Sequence, residues 1–390
     1  MFYLQEQRSI IGTLFPDAQP YHAFLESIGA FLKTEILPEA RRIDQEAIFP
    51  RKSLEKVAEN GIMAIPFPEE LGGLGMPLPV YAAALEMLAR ACANTALQVD
   101  VQNMTCEGIR LLGSERQKKE YLLENGLVAG KKLIAFALTE PCCGTDAGAL
   151  QTRAVLSGDA YVLNGSKTLI SNPGEADFVL VFARAERGIS AFLVPGGTPG
   201  FDVVADMTKL GLRGNRLQAI RLQGCAVPRV NLVGEEGTGL ECVKQVLNAG
   251  RLSVAAVAVG IAQAAYDKAL AYTRQRKTSE GPLSEFQMIQ QKLADAETGI
   301  AAARLLTYHA AMLKEKGEDA VSPISRAKLF ASEMALRVCD DAIQIHGGYG
   351  YTDEFDVHRH WRDARLLTIG EGTSELLRLL IAHLAMKEPQ

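Results

Sequence analysis

The spacing of apolar residues changes character twice along this 390-residue chain, and that alternation restricts its fold more than any other feature. From about residue 21 to 127 they recur at helical spacing. Phe24, Leu25, Ile28, Phe31 and Leu32 form one stripe, and Val80, Ala83, Ala84, Met87 and Leu88 another. Between them, Gly72-Gly73-Leu74-Gly75 is a helix-breaking loop. From residue 133 to about 233 the period shortens. Segments 133–138, 160–163, 178–182, 191–194, 201–204 and 219–222 read as strands, with turns at Gly158-Asp159, Asn164-Gly165, Pro173-Gly174 and Pro195-Gly196-Gly197. Turns this frequent, with no helical pattern between them, favour an antiparallel sheet over a doubly wound fold. From Gly239 onward helical spacing returns in long Ala-rich stretches, 240–275, 283–314 and 322–345, followed by an amphipathic segment at 372–386. The expected architecture is α+β and multidomain: an N-terminal helical domain (1–130), a middle antiparallel β domain (131–236) and a C-terminal four-helix bundle (237–390).

Composition narrows the function classes. Apolar residues at 48% and charged ones at 22% exclude a disordered chain. With 41 Lys and Arg against 46 Asp and Glu, the net charge of −5 argues against nucleic acid as the main partner. A local basic pocket for one phosphorylated small molecule remains compatible. The seven cysteines contain no C-x-x-C pair, which is the usage of a reducing compartment. The opening MFYLQEQRSI lacks the pattern of a secretory signal, and no run approaches the ~18 apolar residues of a membrane span. A cytoplasmic protein without membrane insertion is expected. His346 has no partner at metal-ligand spacing and reads as a structural or surface histidine, as do His358 and His360.

Five segments could carry chemistry. In the first, Leu138-Thr139-Glu140-Pro141-Cys142-Cys143-Gly144-Thr145, a strand runs into a turn of small residues whose amides can approach a flat polar ligand. In the second, Asn164-Gly165 reads as a β-turn, leading to Ser171 and Asn172. The third, Arg274, Arg276 and Lys277 followed by Glu285-Phe286-Gln287, is either a helix-end charge cluster or an arginine fork for a pyrophosphate. The fourth, Gln344-Ile345-His346-Gly347-Gly348, is a glycine-rich helix end. The fifth, Gly370-Glu371-Gly372-Thr373-Ser374, sets a carboxylate between two glycines, whose permissive backbone can present it into a cleft. Its Thr373 and Ser374, with Glu375 in the first turn, also read as the opening of a helix.

In this order and spacing the segments resemble the acyl-CoA dehydrogenase family over about residues 20–386. The matches are Leu-Thr-Glu-Pro at 138–141, Asn-Gly-Ser-Lys at 164–167, Lys-Leu-Gly-Leu-Arg at 209–213 and Val-Pro at 227–228. Gly-Ile-Ala-Gln at 260–263, Gln-Ile-His-Gly-Gly at 344–348, Trp-Arg-Asp-Ala at 361–364 and Glu-Gly-Thr-Ser-Glu at 371–375 complete the set. The resemblance implies FAD, a homotetramer, and an electron-transfer flavoprotein as electron acceptor. It implies Glu371 as the base that takes the α-proton of an acyl-CoA while the β-hydride passes to flavin N5. By the same resemblance Phe136, Leu138, Thr139, Gly144, Thr145, Leu169 and Ser171 border the FAD. Arg276 and Gln287 reach the FAD of a neighbouring subunit, Gln344, Gly347 and Gly348 contact its adenosine diphosphate, and Thr373 and Glu375 lie where the last helix meets it. Thr145, Asn248, Arg251 and Gly372 match acyl-CoA contacts. Some sites depart from the family pattern: Cys142 and Cys143 replace smaller residues, Asn248 an Asp, Leu169 an aromatic residue and Gly370 a Tyr.

Asp100 lies on the helix that floors the acyl cavity in this family. It reads as a hydrogen-bonded helix acid, as a partner for a polar substrate tail, or as the second base of a cyclic enoyl-CoA dehydrogenase that forms a conjugated diene. Two other readings are an oxygen-reacting or group-eliminating relative and a non-catalytic family member, the latter expected to lack the base.

Overall fold

The computed structural model describes residues 2–387, so the outermost expected limits, 1 and 390, lie outside the described residues. Helices Gln19–Phe31, Leu78–Ala91 and Ala93–Leu112 occupy the first third, a sheet the middle, and helices Gly239–Gln275, Gln287–Glu315, Val321–His346 and Ser374–Ala385 the remainder. The α, β, α order is as the hydrophobic period dictates.

The sheet has eight strands: β1 Ile134–Ala137, β2 Arg153–Ser157, β3 Ala160–Ser171, β4 Phe178–Ala185, β5 Gly188–Pro195, β6 Phe201–Asp206, β7 Leu217–Pro228 and β8 Leu232–Val233. They run in the order β6-β7-β3-β2-β4-β5-β8, with β1 alongside β4. Most neighbours are antiparallel, but β1 pairs with β4 in parallel and β2 touches β4 in parallel at Arg153–Arg184. Along β4, Leu180 and Phe182 face the helices while Val179, Val181 and Ala183 face an inner core with Tyr161, Leu163, Ile220 and Val227 of β3 and β7. Both faces are thus buried, as the unbroken apolar run in β4 requires.

One turn assignment is corrected. Asn164-Gly165 does not end a strand; β3 continues through it to Ser171, with an irregularity against β7 between Leu163 and Gly165. The glycine is needed because a Cβ there would lie 2.4 Å from Thr152 Oγ1. The tight turn sits earlier, at Gly158-Asp159, where Gly158 has φ +59° and joins β2 to β3.

The 37-residue helix Gly239–Gln275 is the axis of the molecule, about 55 Å long at 1.5 Å per residue. Its Val254–Ala262 stretch shares one core with Val80–Leu88 of the first third and with Ala327, Ala331 and Ala335 of the last. The helix is apolar and long enough to cross a bilayer, but 78% of its apolar window is already buried inside the protein. Gly260 allows a close crossing, since a Cβ would stand 2.2 Å from Glu86 O. At that crossing buried Arg304 donates to Glu86 Oε1 (2.8 Å) and Gln263 Oε1 (2.8 Å), and Tyr308 OH to Glu86 Oε2 (3.0 Å). Removing one partner of such a pair costs about 3–5 kcal/mol because the other charge is stranded. A second joint ties sheet to bundle: Leu212 N–H donates to Asp363 Oδ1 at 2.6 Å, and Gly211 passes so close that a Cβ would lie 2.1 Å from Arg362 O. The Lys-Leu-Gly-Leu-Arg and Trp-Arg-Asp-Ala motifs meet at this joint.

Candidate active site

The loop after β1 is pinned from below. Glu140 and Cys143 exchange backbone hydrogen bonds at 2.9 and 3.1 Å, turning the chain sharply. Lys167, fully buried in β3, donates to Leu138 O (3.0 Å) and Glu140 Oε1 (2.7 Å), while the Gln151 and Thr152 amides also donate to Glu140. Burial alone would raise the Glu140 carboxyl, but Lys167 and these donors outweigh it and pull it down to about 2. The Leu-Thr-Glu-Pro and Asn-Gly-Ser-Lys motifs are therefore two halves of one buried ion pair that fixes Leu138 and Thr139. Thr168 N–H adds a bond to Thr139 O at 2.9 Å. Beyond it Leu169 adopts φ +56° and Ser171 ends the strand. Asn172 then ties the sheet to helix Ala93–Leu112 through Gln98.

Opposite this wall stands the Glu371 segment. Glu371 itself takes φ +54° and Gly372 φ +108°. Left-handed backbone at a non-glycine residue costs on the order of 1–3 kcal/mol and persists only where its surroundings hold it. Two buried cations do so: Arg251 Nε donates to Glu371 O at 3.0 Å and Lys328 Nζ to Gly372 O at 2.6 Å. Thr373 caps the last helix by accepting from Leu376 N–H at 3.2 Å. Gly250, on the long helix, leaves the space that the carboxylate fills. A Cβ there would stand 2.3 Å from Glu371 Oε2 and 2.7 Å from Met104 Sδ. Burial pushes the Glu371 carboxyl above its usual range, opposed by the neighbouring Asp100 acid, Lys328 and Arg251. Lys328 is itself lowered to about 8 by burial, with Glu371 working against that shift.

These walls enclose a cavity of ≈460 Å³. Ten residues singled out in the sequence line it together: Phe136, Leu138, Thr139, Gly144, Thr145, Leu169, Ser171, Glu371, Gly372 and Thr373. Leu97, Val101 and Met104 of helix Ala93–Leu112 and Leu247 and Val254 of the long helix close its apolar end. Of the acyl-CoA contacts expected elsewhere, Arg251 turns inward to the Glu371 carbonyl, and Asn248 has its Oδ1 buried without a hydrogen-bond partner among the described residues. Asp100 is wholly buried beside Glu371 and the Ser253 hydroxyl, yet neither of its oxygens is in hydrogen-bonding alignment with any described residue, and it is not on the cavity wall. Burial, then the Glu371 charge, pushes its carboxyl well above the usual range.

The remaining expected residues lie away from this cavity. Arg276, Gln287, Gln344, Gly347, Gly348 and Glu375 are exposed and line none of it, Gln344 and both glycines together at the end of helix Val321–His346. His346 is structural, its Nδ1 against Ala342 O at 2.7 Å and its ring stacked on Tyr272 at 4.3 Å. Sequence reasoning missed Gly250 and Lys328, since a glycine and a lysine in long Ala-rich helices carry no local signal.

The cavity suits a flat, largely apolar ring with polar edges. Its walls are mainly apolar side chains, with the Thr139 and Ser171 hydroxyls beside Leu138 and Leu169. Leu169, Leu366 and Ile369 at its lip are 54%, 38% and 51% exposed, apolar surface that a bound cofactor and substrate would cover. An isoalloxazine fits this donor set.

Three family descriptions match successive parts of the chain: acyl-CoA dehydrogenase N-terminal domain at 19–129, middle domain at 135–225 and C-terminal domain at 237–386. A probable acyl-CoA dehydrogenase of Bacillus subtilis, YngJ, is 44% identical over 93% of this chain and 97% of its own length. The human mitochondrial short-chain specific acyl-CoA dehydrogenase is 41% identical over 93% of this chain and 89% of its own. The solved butyryl-CoA dehydrogenase from Megasphaera elsdenii superposes with a TM-score of 0.91 at 37% identity, covering 94% of this chain and 98% of that one. With all three parts matched and the cleft carboxylate in place, the chain belongs to the acyl-CoA dehydrogenase family, flavin-dependent oxidoreductases of acyl-CoA thioesters.

Proposed function

We propose that this enzyme desaturates a short acyl-CoA between Cα and Cβ, with Glu371 as the base and FAD as the bound cofactor. The observation that carries the reading is the Glu371 carboxylate, seated against Gly250 at the side of a cavity that Leu138, Thr139, Leu169 and Ser171 line with it. The flavin supplies the acceptor for the two electrons leaving with the β-hydrogen.

The chain's own residues supply the rest. A thioester α-carbon is a weak acid, so the carboxylate must be basic and the developing oxyanion must be met by fixed donors. Burial makes Glu371 more basic than a solvated carboxylate. Arg251 and Lys328 hold the carbonyls of residues 371 and 372. The Glu371 amide is, by the family resemblance, a donor to the thioester oxygen, and these bonds fix the two peptides that follow it. Leu97, Val101 and Met104 shorten the acyl end and keep water from it. Similarity to short-chain and butyryl-CoA enzymes supports a short acyl group. Asp100 stands behind the wall, so nothing in the lining supports a second proton abstraction, and single desaturation is the reading advanced.

The electron acceptor proposed is an electron-transfer flavoprotein, and the assembly proposed is a homotetramer. Met288, Leu305, Tyr351 and Leu379 support the assembly, being large apolar side chains left 70%, 54%, 90% and 70% exposed by one chain. A cytoplasmic location accords with the free cysteines. The test is anaerobic addition of straight, branched, cyclic and dicarboxylic acyl-CoAs to the yellow holoenzyme. Rapid bleaching by butyryl-CoA is expected; bleaching only by a cyclic or long-chain ester would overturn the short-chain assignment.

A further inference from the structure

A second cavity of ≈330 Å³ lies behind the first, between helices Leu78–Ala91, Ala93–Leu112 and Gly239–Gln275. Met104 lines both cavities, so only a thin partition divides them. The inner end of the second cavity is polar. Tyr81 OH and Ser253 Oγ stand 3.4 Å apart there, and Asn103 Oδ1 is buried with no hydrogen-bond partner among the described residues. Its outer rim is charged and reaches the surface: Arg110 pairs with Glu107 at 2.6 Å, Lys314 with Glu107 at 3.7 Å, and Glu315 is exposed. Three oxygens at the inner end provide the two to four polar partners that an ordered water needs, and the volume holds several waters at ~30 Å³ each.

Asp100 occupies the partition. It neighbours both Glu371 and the Ser253 hydroxyl, lies on helix Ala93–Leu112 between Leu97 and Val101 of the front cavity and Asn103 of the second, is 0% exposed, and lines neither cavity. A buried carboxyl with both oxygens unaligned is costly and calls for an explanation. A place on the acyl wall would explain it, but Asp100 has none. We propose that Asp100 is a proton relay, carrying the proton that Glu371 takes from substrate out through Ser253, Tyr81 and the second cavity to bulk solvent.

This rests on the dehydrogenation reading and adds the route by which its base is reset. The front cavity is filled by cofactor and acyl thioester when the α-proton arrives, so solvent cannot collect it there. Asp100 takes up the new proton from Glu371 and gives one up on its Ser253 side. One O–H bond forms on Asp100 as another breaks, the serine hydroxyl gains one proton and loses one, and no electrons move. Glu371 is left ionised while product still occupies the front cavity.

The test is anaerobic single turnover of holoenzyme with butyryl-CoA in weak buffer, following flavin bleaching and a pH-indicator dye together. In the wild type one proton should reach solvent per flavin bleached, at the rate of bleaching. In Asp100→Asn the ratio of proton-release rate to bleaching rate should fall at least tenfold. The double variant Ser253→Ala/Tyr81→Phe keeps the carboxyl but removes both hydroxyls, and should lower the same ratio; it decides the matter if Asp100→Asn does not fold. A wild-type ratio in a folded variant that bleaches would overturn the relay alone. Failure of the wild type to bleach with any acyl-CoA would instead overturn the dehydrogenation reading on which it rests.

Discussion

Gly250→Ala isolates the seat of the base from the stability of the fold. The added methyl carbon would stand 2.3 Å from Glu371 Oε2, and ordinary contact begins at 3.4 Å, so the carboxylate must retreat by about 1.1 Å. Met104 Sδ, at 2.7 Å, must also give way, but it ends a flexible side chain. Overpacking of this kind costs roughly 1–3 kcal/mol, while replacing a mid-helix glycine by alanine returns about 1 kcal/mol. The net loss of stability should therefore be about 0–2 kcal/mol, and the variant should fold. A misplacement of about 1 Å at a reacting group can cost ~10²-fold in rate. The assay is stopped-flow bleaching of the holoenzyme by butyryl-CoA, beside a thermal melt and a flavin absorbance reading. The expected outcome is normal flavin content, a melt within a few degrees of wild type, and bleaching slowed about a hundredfold. A variant that binds flavin and bleaches at the wild-type rate would refute the idea that the carboxylate must occupy this pocket.

Lys167→Met should strand Glu140 in the core and destabilise the protein by about 3–5 kcal/mol, read in a denaturant titration, with flavin lost first because Leu138 and Thr139 come loose. Lys328 sheds its proton through about pH 8 in the folded state against an ordinary 10.5. Between those values the unfolded chain binds more protons, so this residue's contribution to stability rises with pH there. Its charged grip on Gly372 O weakens over the same rise, so the bleaching rate should fall above pH 8, and Lys328→Met should be slow with that limb absent from the profile. Gly165→Ala should lower the melting temperature, because its methyl would press on Thr152 Oγ1 from 2.4 Å.

Much of this structure is legible in local sequence. The change of hydrophobic period locates the sheet and the long helices because each buries a continuous stripe or face. Strand β2 is invisible to that signal: of Arg153–Ser157 only Ala154 is buried, so no apolar run marks it. The parallel pairing of β1 with β4 joins residues more than forty apart and leaves no local trace. Asn164-Gly165 carries the strongest short turn signal in the chain, yet its glycine serves a close approach to Thr152, a contact that only the folded sheet creates. At the site, Glu371 is conspicuous through its flanking glycines, and ten lining residues follow from the family resemblance. Gly250, Lys328 and the partition around Asp100 are not, since their roles come from three helices meeting at one point.

The most direct measurement is anaerobic mixing of flavin-loaded Glu371→Gln with butyryl-CoA, with binding followed separately by the shift of the flavin band. The substitution keeps the shape of the side chain and removes the proton acceptor. The account predicts that the thioester still binds and the yellow colour persists, with reduction slower by at least ~10⁴-fold, the upper end for a positioned acid or base. Bleaching by the variant within tenfold of the wild-type rate would contradict it, because the α-proton would then have found another base.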